Sequence, residues 1–179
     1  MKPLADLTSL IKDRNKIDDE ISAIIGYPAE KGHVGEFIAA KIFNITQNKS
    51  ATHKAHDGAF SDGTLKNKTV NVKFYSKREG LLDLQPRFPP DYYLVLTGPK
   101  STPTSSRGKT RPWTINSVFL FDAKILHETL KNRGLKLGIA TSVKENLWNS
   151  SEIYPTNTNN ILILNEYQKE CLKLFNLTK

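Results

Sequence analysis

Apolar residues recur at helical spacing from the start of the chain: Leu4, Leu7, Leu10, Ile11, Ile17, Ile21, Ile24 and Ile25. Lys12-Asp13-Arg14 and Asp18-Asp19-Glu20 fall between them. Steps of three and four place these residues on one stripe, so residues 5–25 are expected to be an amphipathic helix stopped by Gly26. The stripe reads as a packing face against the domain, with a contact between two copies as the alternative. A second helix is expected over 34–45. Val34, Phe37, Ile38, Ile42 and Ile45 share one of its faces, and Glu36, Ala39, Ala40 and Phe43 the other. Apolar nearly all round, it should be enclosed, which leaves Glu36 a carboxylate on a small, apolar surface where burial is costly unless a cation answers it.

The period then changes from helical to two. Residues 56–60 and 69–75 read as paired strands, and in the second Val70, Val72 and Phe74 take one face while Asn71, Lys73 and Tyr75 take the other. Two registers compete. A tight turn on Asp62-Gly63 sets Asp57 opposite Lys68 and sends Phe60 to the polar face. A longer loop centred near Thr64 sets Phe60 opposite Lys68 and Asp57 opposite Asn71. The longer loop is preferred because it puts Phe60 with Val70 and Val72. Beyond it we expect strands at 92–96, 115–121, 137–142 and 161–164, and helices at 123–132, 144–150 and 165–175. The expected architecture is α/β (or α+β), one domain with a mixed central sheet flanked by helices. Residues 1–30 form an N-terminal helical region, 31–96 a core, and 97–179 the remaining elements with a basic loop at 98–111.

Composition changes this picture in two respects. The 179 residues carry 26 Lys and Arg against 18 Asp and Glu, a net charge of +8, which favours a polyanionic partner over a neutral one. The single cysteine, Cys171, excludes an internal disulfide and any multi-cysteine zinc site, and makes the reducing cytoplasm the expected location. No apolar run is long enough to span a membrane, and no nucleophile-elbow, phosphate-loop or dinucleotide-binding signature occurs. His53 and His56 flank Asp57 but give too few ligands for a zinc site. His33 and His127 read as isolated surface or core histidines.

The preferred register gathers Asp57, Asn71 and Lys73 on one polar surface, and Glu36 joins them if its helix packs the Ala-rich face there. Taken singly, these residues have ordinary readings: Asp57 as a turn residue before Gly58, Lys73 and Glu36 as a salt bridge. Taken together, they resemble the PD-(D/E)xK restriction-endonuclease-like nucleases. The likeness covers residues 31–96: Gly35-Glu36-Phe37-Ile38-Ala39-Ala40, Asp57-Gly58, the triplet Asn71-Val72-Lys73, and Pro90-Asp91-Tyr92-Tyr93-Leu94-Val95-Leu96 as the following strand.

The resemblance implies a restriction-endonuclease-like fold and a Mg²⁺ site, with Mn²⁺ able to substitute. It makes Asp57 the principal ligand, the Val72 carbonyl a second, Glu36 a direct or water-mediated ligand, and Lys73 the group that orients the attacking water. Asn71 departs from the pattern by standing where the family has Asp or Glu. An amide oxygen coordinates without contributing charge, and some members that cleave modified DNA resemble this arrangement with Gln at that place. Glu79 cannot substitute for the missing acid, because eight residues at ~3.3 Å put it roughly 26 Å along the strand.

Two basic stretches offer a surface for DNA, expected to be double-stranded: Lys66, Lys68, Lys77, Arg78 and Arg87 around the hairpin, and Lys100, Arg107, Lys109 and Arg111 on a loop with no acidic residue. Tyr75, Tyr92 and Trp113 could stack on bases or pack the sheet. The expected activity is Mg²⁺-dependent hydrolysis of DNA phosphodiester bonds by a restriction-type endonuclease. The alternatives are a noncatalytic DNA-binding or assembly module on the same scaffold, and a protein-interaction domain that uses the N-terminal helix.

Overall fold

The computed structural model describes residues 2–48, 56–102 and 111–176. Those residues form an α+β domain of five α-helices, a six-stranded mixed sheet and a separate two-stranded ribbon. The first helix, α1, runs Lys2–Ile25 and stops where Gly26 turns to φ 77°. Helix α2 spans Lys31–Phe43, closed by Asn44 in the left-handed conformation. The strands β1 (Ile45–Gln47), β2 (Gly58–Phe60) and β3 (Thr69–Tyr75) follow, then β4 (Leu81–Leu82), β5 (Tyr92–Thr97) and β6 (Ser117–Asp122). Helix α3 is Ala123–Asn132, β7 Thr141–Ser142, α4 Glu145–Ser151, β8 Glu152–Tyr154 and α5 Glu166–Lys173.

The large sheet has the order β1-β2-β3-β5-β6-β8, with only β3 and β5 parallel. Central strands covered on both faces become near-continuous apolar runs, and Tyr93 to Leu96 of β5 are all fully buried. Alternation then divides them between two cores. Val70, Val72, Phe74, Leu94 and Leu96 face α2 and α5. Tyr93, Val95, Phe119 and Phe121 face Leu126 and Leu130 of α3 and Trp148 of α4.

The hairpin takes the longer-loop register. Gly58 pairs with Val70 and Ala59 with Thr69, and a 3-10 turn at Gly63–Leu65 fills the loop. Phe60 lies opposite Lys68 and is buried with Val70 and Val72.

Three expectations are corrected. Ile45 leaves α2 to open β1, because Asn44 ends the helix and Ile45 pairs with Phe60. The expected strand at 137–142 shrinks to Thr141–Ser142, which pairs with β4. No strand forms at 161–164: β8 takes the edge beside β6, and the Asn159 side chain donates to the Leu120 carbonyl while accepting from Ile161 N. Ile161 and Ile163 are left exposed.

Helix α1 also departs from expectation. Its last turn seats Ile25, but most of the stripe is uncovered by its own domain. Among the described residues no helix is long and apolar enough to cross a membrane.

Candidate functional site

The candidate site lies where β2 ends and the edge of β3 opens. Two main-chain bonds hold Asp57 there, its N–H donating to the Val70 carbonyl and its carbonyl accepting from Asn48 N, both at 2.9 Å. The next residue, Gly58, is dictated by crowding, since a Cβ at that position would stand 2.4 Å from the Thr46 carbonyl oxygen of β1. The pairing therefore requires glycine and leaves Asp57 to aim its carboxylate across to β3.

One carboxylate oxygen, Oδ2, accepts from Val72 N at 2.6 Å, and the other, Oδ1, accepts from the Asn71 amide nitrogen at 3.3 Å. The turn-residue reading of Asp57 gives way to a cross-strand role. The N–H and C=O of one residue in an extended strand point the same way, so the Val72 carbonyl opens toward the edge that Asp57 occupies. Asn71 is buried, and its side-chain oxygen has no hydrogen-bond partner. A buried acceptor left empty costs about 1–3 kcal/mol, so such an atom calls for an explanation.

Helix α2 packs on the Val70, Val72 and Phe74 face of β3, opposite Asn71 and Lys73, so the expected packing on the polar face is corrected and Glu36 comes only within electrostatic reach of Asp57 and Lys73. A Cβ on the preceding residue, Gly35, would stand only 2.6 Å from Phe74 Cβ. Burial pushes the Glu36 carboxyl above its ordinary value of 4.5, and the nearby Asp57 charge pushes it further; His33 and Lys73 act in the opposite sense. Burial likewise raises Asp57 above 3.8, opposed by the Val72 N–H and by the charges of Lys73 and His56. The Asp57 charge thus acts on Glu36, and the Lys73 charge acts on both carboxyls. None of the ion pairs among the described residues involves Glu36, Asp57 or Lys73, so the Glu36–Lys73 salt bridge is not formed.

His33 was not expected here. It sits one turn before Glu36 with Nδ1 3.1 Å from the Pro28 carbonyl and its ring against Tyr27. The i, i+3 spacing to Glu36 was the available signal. His127, by contrast, is a core residue on the Tyr93 hydroxyl, and burial lowers its affinity for a proton.

No protein-family model and no curated protein matches this chain. The site's chemistry therefore rests on its own residues. Among those described, no group of three or more His, Cys, Asp or Glu is arranged around a metal position. The oxygen donors around Asp57 are its own carboxylate, the Asn71 amide and the Val72 carbonyl, with the Glu36 carboxylate on the adjoining helix. That set suits a hard divalent cation that keeps several waters, and it would give the Asn71 oxygen a partner.

The basic residues divide. Lys68 pairs with Asp91 at 3.1 Å, Lys77 with Glu79, and Lys100 with Glu145 at 2.9 Å. Arg78 grips both oxygens of Glu145 at 3.0 and 3.1 Å, and its guanidinium lies over the rings of Phe119 and Trp148. It serves as a scaffold residue whose side chain is 11% exposed. Lys66, Arg87 and Arg111 are exposed, whereas Arg107 and Lys109 lie outside the described residues, as does His53.

The candidate stacking aromatics are inward. The Tyr75 hydroxyl accepts from Asp83 N, and burial raises it far above its ordinary value. Tyr92 meets Phe60 edge-on, and Trp113 packs against the first core.

The raised carboxyls have a measurable consequence. A carboxyl that binds its proton more tightly when folded stabilises the fold fully below its unfolded value, and that contribution is lost as pH rises through the folded value. In EDTA, stability should therefore fall as pH climbs above the ordinary values of 4.5 and 3.8. Glu36→Gln should melt above wild type at neutral pH, with the gap closing in acid. Melts in which wild type matches or exceeds the variant at neutral pH would contradict this.

Proposed function

We propose that this chain is a Mg²⁺-dependent endodeoxyribonuclease of restriction type, on a restriction-endonuclease-like scaffold. The observation that carries the reading is the buried Asn71 amide, whose nitrogen is engaged by Asp57 and whose oxygen is empty. Asp57, Glu36, the Val72 carbonyl and the Asn71 oxygen would hold the metal, and Mn²⁺ would serve in its place. When bound, the cation stabilises negative charge developing on a phosphate.

The protein's own residues supply the rest. Lys73 offers an ammonium without a paired carboxylate, suited to orienting a water against phosphorus and to sharing the developing charge. Asp57, clamped by Val72 N and the Asn71 amide, is held in place before any ligand arrives. A net charge of +8 favours a duplex DNA partner, and Lys66 and Arg87 are exposed cations that could meet phosphates. The lone cysteine accords with a cytoplasmic setting.

A second reading, a noncatalytic DNA-binding or assembly module, is favoured by one feature: the neutral amide at Asn71 lowers the site's charge.

Labelled duplex DNA, unmodified and methylated, separates the two. Cutting should occur with Mg²⁺ or Mn²⁺, stop in EDTA, and fall about 10²–10³-fold in Lys73→Ala. Cutting that persists in EDTA would sink the metal-dependent reading. No cutting on any substrate, with salt-sensitive binding retained, would favour the module.

A further inference from the structure

We propose that α1 pairs antiparallel with the α1 of a second copy of this chain, with Arg14 of each facing Asp18 of the other. The starting observation is exposure. Leu4, Leu7, Leu10, Ile11, Ile17 and Ile24 are each 48% to 71% exposed, while Ile25 is the helix's buried residue. At 1.5 Å per residue, this 24-residue helix extends about 36 Å. A helix that meets its domain at one end lacks the packing that normally sustains an amphipathic helix in water, and a contiguous apolar stripe marks an interaction surface.

The spacing identifies the partner. Positions 4, 7, 11, 14, 18, 21 and 25 follow the alternating three-and-four steps of a coiled-coil seam: Leu4, Leu7, Ile11, Arg14, Asp18, Ile21 and Ile25. Five are aliphatic, and the two at its middle carry opposite charges, joined along the helix at 3.3 Å. Side by side in parallel, two copies would set Arg14 against Arg14 and Asp18 against Asp18.

Antiparallel, with the two-fold axis level with Lys16, the layers become Arg14 on Asp18, Ile11 on Ile21 and Leu7 at the margin of Ile25. These layers match apolar to apolar or positive to negative, and Leu4 falls past the end of the partner helix. The flanks agree as well. On one side Leu10 meets Ile24 and Ile17 meets its own copy. On the other, Thr8 meets Ser22 and Asn15 meets Asn15, so no like charges oppose. Lys2, Asp6, Lys12, Asp13, Lys16, Asp19 and Glu20 all point outward. The two domains, attached where each α1 ends, fall at opposite ends of the pair. A polar pair within an apolar seam selects register and orientation at some cost in stability, which suits the position of Arg14 and Asp18.

Sedimentation equilibrium over a wide concentration range, with the full chain, tests the pairing. A dimer is expected, and Leu7→Glu should make it monomeric with the thermal unfolding of the domain unchanged. Arg14→Asp and Asp18→Arg should each weaken the dimer about tenfold or more, and combining them should restore it. Spin labels on Ala5→Cys in a Cys171→Ser background should lie about 33 Å apart along the axis, from the helical rise. A monomer at every concentration, a larger assembly, no recovery in the double variant, or labels side by side would each overturn the proposal.

Discussion

Asp57→Ala should lose metal-dependent cleavage by about 10³-fold or more while DNA binding persists. No other side chain joins as many parts of the site. Its carboxylate takes the Val72 N–H and the Asn71 amide, its charge acts on Glu36, and its backbone is pinned to Val70 and Asn48. Alanine keeps those main-chain bonds, so strand β2 has no reason to leave the sheet. It does strand a main-chain donor at Val72, at about 1–3 kcal/mol, and thermal unfolding should register that cost.

Asp57→Asn separates the two effects, because an amide oxygen can still accept from Val72 N but brings no charge to a cation. We expect Asp57→Asn to match the alanine variant in lost cleavage and, in EDTA at neutral pH, to melt above wild type, as is expected of Glu36→Gln. Cleavage within a few-fold of wild type in the alanine variant would remove Asp57 from the chemistry and with it the proposed site.

Trp148→Ala should cost about 3–5 kcal/mol of stability, measured by urea unfolding. Trp148 meets Phe119 and Phe121 edge-on, with ring centres 4.8 and 5.1 Å apart, and underlies the Arg78 guanidinium. Removing it opens a cavity in the second core and loosens the Arg78–Glu145–Lys100 cluster above. Trp148→Phe should be milder, since the indole N–H it deletes is itself buried without a partner. Cleavage per folded molecule should survive both changes, because Trp148 packs on Phe119 and Phe121 of β6, two strands away from Asn71 and Lys73 on β3. A loss below about 1 kcal/mol in the alanine variant would show that the cavity collapses freely.

How much of this was legible beforehand differs by residue. The alternation of Val70, Val72 and Phe74 with Asn71, Lys73 and Tyr75 assigned β3 its faces, and the demand that Phe60 be buried chose the register that brings Asp57 opposite Asn71. The helix expected at 123–132 forms as Ala123–Asn132, and the structure adds its cap, Asp122 accepting from Ile125 N. The strand at 161–164 was misread because a short apolar run carries no information about which edge is already filled. Arg78 read as a surface cation because stacking on Phe119 and Trp148 depends on residues more than 40 positions away.

Local pattern by itself therefore determined the helices, the strand faces, the register of the hairpin and the basic charge, since each depends on period, turn chemistry or composition. Packing between distant segments brings α2 close enough to β3 at Gly35 and Phe74 to put Glu36 under the influence of Asp57. It also decides which cations are spent on Asp91, Glu79 and Glu145, and that the stripe of α1 is left uncovered. The physical reason is common to all three: packing distance and competition for partners are set by segments far apart in the chain, and no local periodicity encodes them.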